Sequence, residues 1–112
     1  MTTHDYIQRV LALYRRLPGT SGLARRADRR LAASLHQRRV PLDIVDAALL
    51  TAALRRASRP ADAAPLPRIT SLHYFLPVIE ELLTIGLDPA YLDYLRYRFS
   101  ALMSSLVAPD HQ

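Results

Sequence analysis

Residues 41–59 read PLDIVDAALLTAALRRASR, and this stretch decides the fold. Leu42, Ile44, Val45, Ala47, Ala48, Leu49, Leu50, Ala52, Ala53 and Leu54 place apolar side chains on nearly every side of a helix rather than along one stripe. A helix without a wet face is normally central, covered by neighbours on all sides. Its alanines let those neighbours approach closely. The fixed φ of Pro41 suits a first-turn position, so a helix is predicted over 41–59. The rest of the chain must then supply its cover.

That cover is legible on both flanks. Tyr6, Val10, Leu13 and Leu17, with Ile7, Leu11 and Tyr14, form a broad stripe on a first helix over 3–17, which Pro18-Gly19 stops. Residues 23–39 keep a helical period with a narrower apolar face at Ala24, Ala27, Leu31 and Leu35. Beyond the central helix, SRPADAAPLPR at 58–68 has three prolines and almost no large apolar group; its body, 61–68, reads as a semi-rigid connector. Thr70 or Ser71 then caps a fourth helix whose apolar face is Leu72, Phe75, Leu76, Ile79, Leu82 and Leu83. Pro77 falls inside it, predicting either a kink or a short first turn followed by a restart. Gly86 closes this helix, and Asp88 with Pro89 opens a fifth as N-cap and first helical residue. Leu92, Leu95, Phe99, Leu102 and Leu106 recur at helical spacing as its core stripe, and 108–112 is expected to fray. No strand pattern or repeat interrupts the scheme. The expectation is all-α: a compact bundle of about five helices forming one domain, 1–112.

Composition narrows the chemistry. The chain has 112 residues, half of them hydrophobic and 22% charged, a balance that suits a folded domain rather than a disordered one. No apolar run approaches the roughly 20 residues that cross a bilayer, so no membrane role is expected. Residues 1–5 are polar, unlike a secretory leader, and with no cysteine there is neither a disulfide framework nor a thiolate site; cytoplasmic residence is expected. His4, His36, His73 and His111 are scattered without metal-ligand spacing, only three glycines are present, and no serine lies in a nucleophile-elbow context. No catalytic residue, metal or cofactor is expected, and the protein does not read as an enzyme.

Charge is the informative feature. All fifteen basic residues are arginine. Residues 1–60 hold twelve of them against four aspartates, a balance of +8, whereas 61–112 hold three against six acidic residues, −3; together they give the formal +5. One end of the molecule can therefore present a positive field. Its centre is Arg25, Arg26, Arg29 and Arg30, in which Arg25/Arg29 and Arg26/Arg30 are i,i+4 neighbours, with Arg38 and Arg39 extending the set. Ala27 and Leu31 are expected to face inward, with Asp28 offsetting part of the repulsion. Guanidinium forks match phosphate geometry, so these six are the candidate nucleic-acid contacts. A secondary set is Arg55 and Arg56, which also suit the negative end of a helix, and Arg96 and Arg98, interleaved with Tyr91, Tyr94 and Tyr97. Those tyrosines read either as a stacking platform for unpaired bases or as core-bordering residues with wet hydroxyls. Residues 27–56 have a helix-turn-helix outline, but Asp43 and Asp46 open its second helix where phosphates would lie, so a helical hairpin is the better description.

Val45-Asp46-Ala47-Ala48-Leu49-Leu50, followed by the run from Pro67 through Leu72-His73-Tyr74-Phe75 to Glu81, resembles the helical C-terminal module of DnaD-like and phage or plasmid replication-initiation proteins of bacterial mobile elements. The similar part spans about 28–84, and the chain lacks the tryptophan that commonly closes the family's second helix. The resemblance implies DNA binding, single- or double-stranded, with self-association or loader contacts. The resulting expectation is a non-catalytic nucleic-acid-binding accessory protein of a mobile element or its replication or transposition machinery. The alternative is an interaction or oligomeric assembly subunit, its basic face docked on an acidic partner and its central helix covered by a second copy.

Overall fold

The central helix is where the sequence puts it. In the computed structural model, which describes residues 1–107, five helices run in the order α1 (Thr3–Arg15), α2 (Arg26–Gln37), α3 (Leu42–Ala57), α4 (Leu76–Ile85) and α5 (Pro89–Val107). The expected fraying of 108–112 lies outside the described residues. The fold is an all-α bundle, and among the described residues the sole strand-like pairing is an isolated parallel bridge between Thr20 and Ile69. Every residue from Ile44 to Ala53 is buried, including Asp46 and Thr51. α1, α4 and α5 pack around α3 within one chain, so no second copy is needed to cover it. Side chains from all five helices meet in one core, with Tyr14, Leu35, Leu49, Leu50, Phe75 and Ile79 fully enclosed.

The helix ends follow local chemistry, mostly a little inside the expected limits. Thr2 and Asp5 form a reciprocal capping box that opens α1. α2 begins three residues later than expected and ends two earlier, at a Schellman turn: Arg39 N–H donates to the His36 carbonyl and Val40 N–H to that of Leu35. Pro41 is the N-cap of α3 rather than its first helical residue. The restart at Pro77 is realised. Ser71 caps a 3-10 turn, Leu72–Phe75, and α4 begins immediately after it with Pro77 in its first turn, where the missing N–H is harmless. Gly86, at φ 86°, ends α4, and Asp88 accepts from the Ala90 N–H to open α5. No helix occupies 58–71. The core stripe of α5 thins along its length: Leu92, Leu95 and Phe99 are buried, Leu102 is half-buried and Leu106 is exposed.

Two aromatic contacts seat α1, one at the end of α2 and the other on the turn before α4. At one end the Tyr6 hydroxyl donates to the Val40 carbonyl at 2.9 Å, and the Tyr6 ring lies against His36, whose Nδ1 is 3.0 Å from Thr3 Oγ1. At the other end Tyr14 sits edge-on to Phe75. Burial pushes the Tyr6 phenol up to about 12, and burial aided by the Asp28 charge raises that of Tyr14. A raised phenol pKa favours the neutral side chain in the fold. Its contribution is complete below the unfolded value near 10 and is lost as pH climbs toward 12. Because the chain has no lysine or cysteine, tyrosines are the only side chains that titrate across that window. Stability from urea unfolding is therefore expected to hold to about pH 10 and fall beyond it. Tyr6→Phe should lose roughly 1 kcal/mol at neutral pH, from the missing hydrogen bond, and show a shallower alkaline decline.

Candidate nucleic-acid interface

α2 lacks a side-chain cap of the usual kind, because Arg25 at the N-cap offers no acceptor. Asp28 supplies the substitute. Its Oδ2 accepts from the Arg25 N–H at 2.9 Å, and its Oδ1 accepts from the Leu72 N–H at 2.8 Å and the Ser71 hydroxyl at 3.4 Å. Asp28 is 1% exposed, so this carboxylate faces the core and staples α2 to the turn before α4. The expected inward face is corrected accordingly: Asp28, Leu31, Ala32 and Leu35 are buried, and Ala27 is exposed. Sequence reasoning treats an aspartate between arginines as solvated. What signals otherwise is its spacing from Leu31, Ala32 and Leu35, which puts all four on one side of a helix.

Fixing Asp28 inward aims its neighbours outward. At about 100° per residue, Arg26 and Arg30 lie opposite the buried face and Arg29 beside them. Arg25, Arg26, Arg29 and Arg30 are all exposed. Among the described residues none of them forms an ion pair or a side-chain hydrogen bond. Helix stability does not account for them. Cations at a helix N-terminus oppose the macrodipole, which favours them at the other end by about 0.3–1 kcal/mol each. Each like-charge i,i+4 pair adds roughly 0.2–0.5 kcal/mol of repulsion.

The other candidates separate from this group. Arg38 and Arg39 lie at the far end of α2, roughly 18 Å along its axis. Arg38 is held by Glu80 of α4 through both Nη atoms, at 2.9 and 2.8 Å, and this bond holds the Glu80 carboxyl below its ordinary value. Arg39 is exposed and unpaired among the described residues, but it sits at φ 59°, the left-handed region that glycine normally occupies at this turn. Arg55 pairs with Glu81 at 3.4 Å. Arg96 is committed to Asp46 at 2.9 Å; the same carboxylate takes Arg16 at 2.8 Å, which ties α1, α3 and α5 together. Arg56 donates to the Pro67 carbonyl and the Tyr74 hydroxyl and lies over the Tyr74 ring, pinning the connector. Arg98 donates to the Tyr94 hydroxyl and stacks on its ring. Tyr91 and Tyr94 stack on each other with centroids 6.1 Å apart, whereas Tyr97 stands 71% exposed.

Topology regroups the basic ends. The start of α2 and the end of α3 are both tied to one segment of the chain, whereas Arg38 and Arg39 stand at the opposite end of α2 from it. The segment 67–74 joins the two: Pro67 and Tyr74 hold Arg56, while Ser71 and Leu72 hold Asp28. Ile69 exchanges backbone hydrogen bonds with Gly19 and Ser21 in the loop after α1. Arg15, in the last turn of α1, and Arg68 thereby join the same end, an addition that no spacing along the chain reveals. No group of His, Asp and Glu among the described residues could hold a metal ion. α3, buried from Ile44 to Ala53, offers no continuous face to a DNA groove. No family model matches the chain, and no curated protein or solved structure matches it.

Two substitutions separate structure from surface. Asp28→Ala strands two backbone donors that are otherwise bonded to a carboxylate, and chemical denaturation should show a loss of about 2–4 kcal/mol. The exposed Asp43→Ala should change stability by under about 0.5 kcal/mol. Arg39→Gly relieves the left-handed backbone and should raise stability by roughly 0.5–1 kcal/mol.

Proposed function

We propose that the protein is a non-catalytic nucleic-acid-binding accessory protein that grips the phosphate backbone through Arg25, Arg26, Arg29 and Arg30, with Arg15 and Arg68 adding to the same field. The observation that carries this reading is the quartet itself: four exposed guanidiniums at the start of α2, without an ion pair among the described residues, while the one carboxylate in their midst is turned into the core. Planar guanidinium forks bind phosphate oxygens bidentately and remain charged at any physiological pH. Recognition on this basis is of backbone rather than of sequence, since backbone contacts position a protein without carrying base information. The resemblance of 28–84 to replication-initiation modules is the reason to set this activity in a mobile element's replication or transposition machinery. Most of the residues that carry it, Val45 to Leu50, Leu72, Phe75 and Ile79, are core positions here, so the resemblance lends no contact residue.

Phosphate binding releases counterions, and log affinity should fall linearly with log salt by about 0.9 per phosphate contacted on duplex. Arg25→Gln combined with Arg29→Gln should reduce the magnitude of that slope by about 2 while leaving the unfolding temperature unchanged or slightly raised. Arg38→Gln, which removes an arginine already bound to Glu80, should leave the slope as it is. An unchanged slope in the double variant, or an equal loss in Arg38→Gln, overturns the assignment. Binding confined to an acidic protein, with no retention of DNA or RNA at low salt, would replace it with a protein-docking role.

A further inference from the structure

Between α3 and α5 lies a cleft of about 410 Å³ that the phosphate-binding group does not use. One wall is aromatic, formed by the stacked Tyr91 and Tyr94, 45% and 49% exposed. Two guanidiniums border it, Arg98, which donates to the Tyr94 hydroxyl at 2.8 Å, and Arg55, joined to Glu81 by a 3.4 Å contact. Thr51 lines the cleft from α3. It is only 9% exposed, and its hydroxyl has no hydrogen-bond partner among the described residues. Exposed stacked rings leave large planar apolar surface in water that a further ring would cover.

We propose that this cleft takes an unpaired nucleotide of a single-stranded nucleic acid, its base stacked on the Tyr91/Tyr94 pair and its phosphate on Arg98 and Arg55. The inference rests on the proposed nucleic-acid binding and specifies its substrate as single-stranded. A planar ring beside a guanidinium is the combination that non-specific single-strand binders use, because every base has a π-face and only an unpaired base can offer it. Continuity with the basic end selects a strand over a free nucleotide. Arg55 also lines an adjoining cleft of about 320 Å³ with Arg56, Arg59 and Tyr74. Arg56 in turn holds Pro67, at the head of the segment that anchors Asp28 and the start of α2. Positive groups thus continue from the aromatic pair around the end of α3 to the arginine quartet.

The test measures the binding of a fluorescently labelled oligo-dT, a duplex of the same length, and adenosine monophosphate at one salt concentration. Tyr91→Leu should weaken the single strand about tenfold and the duplex less than twofold, while Tyr91→Phe, which keeps the ring, should bind like the parent. Circular dichroism and the unfolding temperature of Tyr91→Leu should match the parent, since the residue is half-exposed. Equal losses on single strand and duplex, or no loss on either, overturn the inference. Adenosine monophosphate bound as tightly as the oligonucleotide and lost in Tyr91→Leu overturns the strand assignment in favour of a free nucleotide. The Arg25→Gln/Arg29→Gln variant keeps the two readings apart. A reduced salt slope there, with Tyr91→Leu neutral, sinks the cleft and keeps the phosphate grip; an unchanged slope there, with Tyr91→Leu weakened on single strand, does the reverse.

Discussion

The Asp28 carboxylate sets the rotation of α2, and the surface depends on that rotation. A buried carboxylate is tolerated only where donors replace its water. Arg25 and Leu72 supply backbone N–H groups and Ser71 a hydroxyl, from two segments more than forty residues apart in the chain. Once those bonds form, α2 has one admissible orientation about its axis: Leu31, Ala32 and Leu35 follow Asp28 inward, and Arg26, Arg29 and Arg30 are carried outward. A turn of the helix to bury Ala27 instead would expose the staple and bring a guanidinium toward the core. The same bonds seat the turn on which α4 begins, so the placement of the arginines and the docking of the second half of the chain share a cause.

Around this staple, arginine serves three separate ends. Arg16 and Arg96 converge on the buried Asp46 and hold three helices together. Arg56 and Arg59 donate to carbonyls of the connector, giving a segment without helix or strand some of the partners its backbone lacks. Arg38 and Arg55 meet the two glutamates of α4 at the surface, where ion pairs contribute little. The quartet at the start of α2 fits none of these uses. Its members stand at the positive end of a helix and beside one another, both unfavourable to the folded chain.

Much of the architecture was legible because its signals are local. The apolar girth of 42–54, Ser71 before a helical run, Pro77 inside one, Gly86 after it and the Asp88-Pro89 start each constrain a few adjacent residues, and each is found as read. What was hidden is non-local or breaks a local rule. Arg38 and Glu80 are forty-two residues apart, and Arg96 and Asp46 fifty. The end of α2 carries no glycine signal, because arginine occupies the left-handed position of its closing turn. Asp28, flanked by arginines, has partners in Ser71 and Leu72 that no local pattern reveals. Spacing along α5 groups three tyrosines, whereas Tyr91 and Tyr94 stack and line a cleft and Tyr97 stands exposed.

The absence of lysine gives the molecule an unusual division in pH. Every cation of the basic end is a guanidinium, a group that keeps its charge at any physiological pH. Alkaline pH acts on the fold instead: burial raises the Tyr6 and Tyr14 phenols, so their ionisation takes stability from the core that holds them neutral. A lysine-based surface would lose its charge in the same range in which those tyrosines ionise, and binding and folding would decay together. Here the Tyr6 hydroxyl, donating to the Val40 carbonyl just after α2, is where the loss of core stability meets the element that carries the arginines.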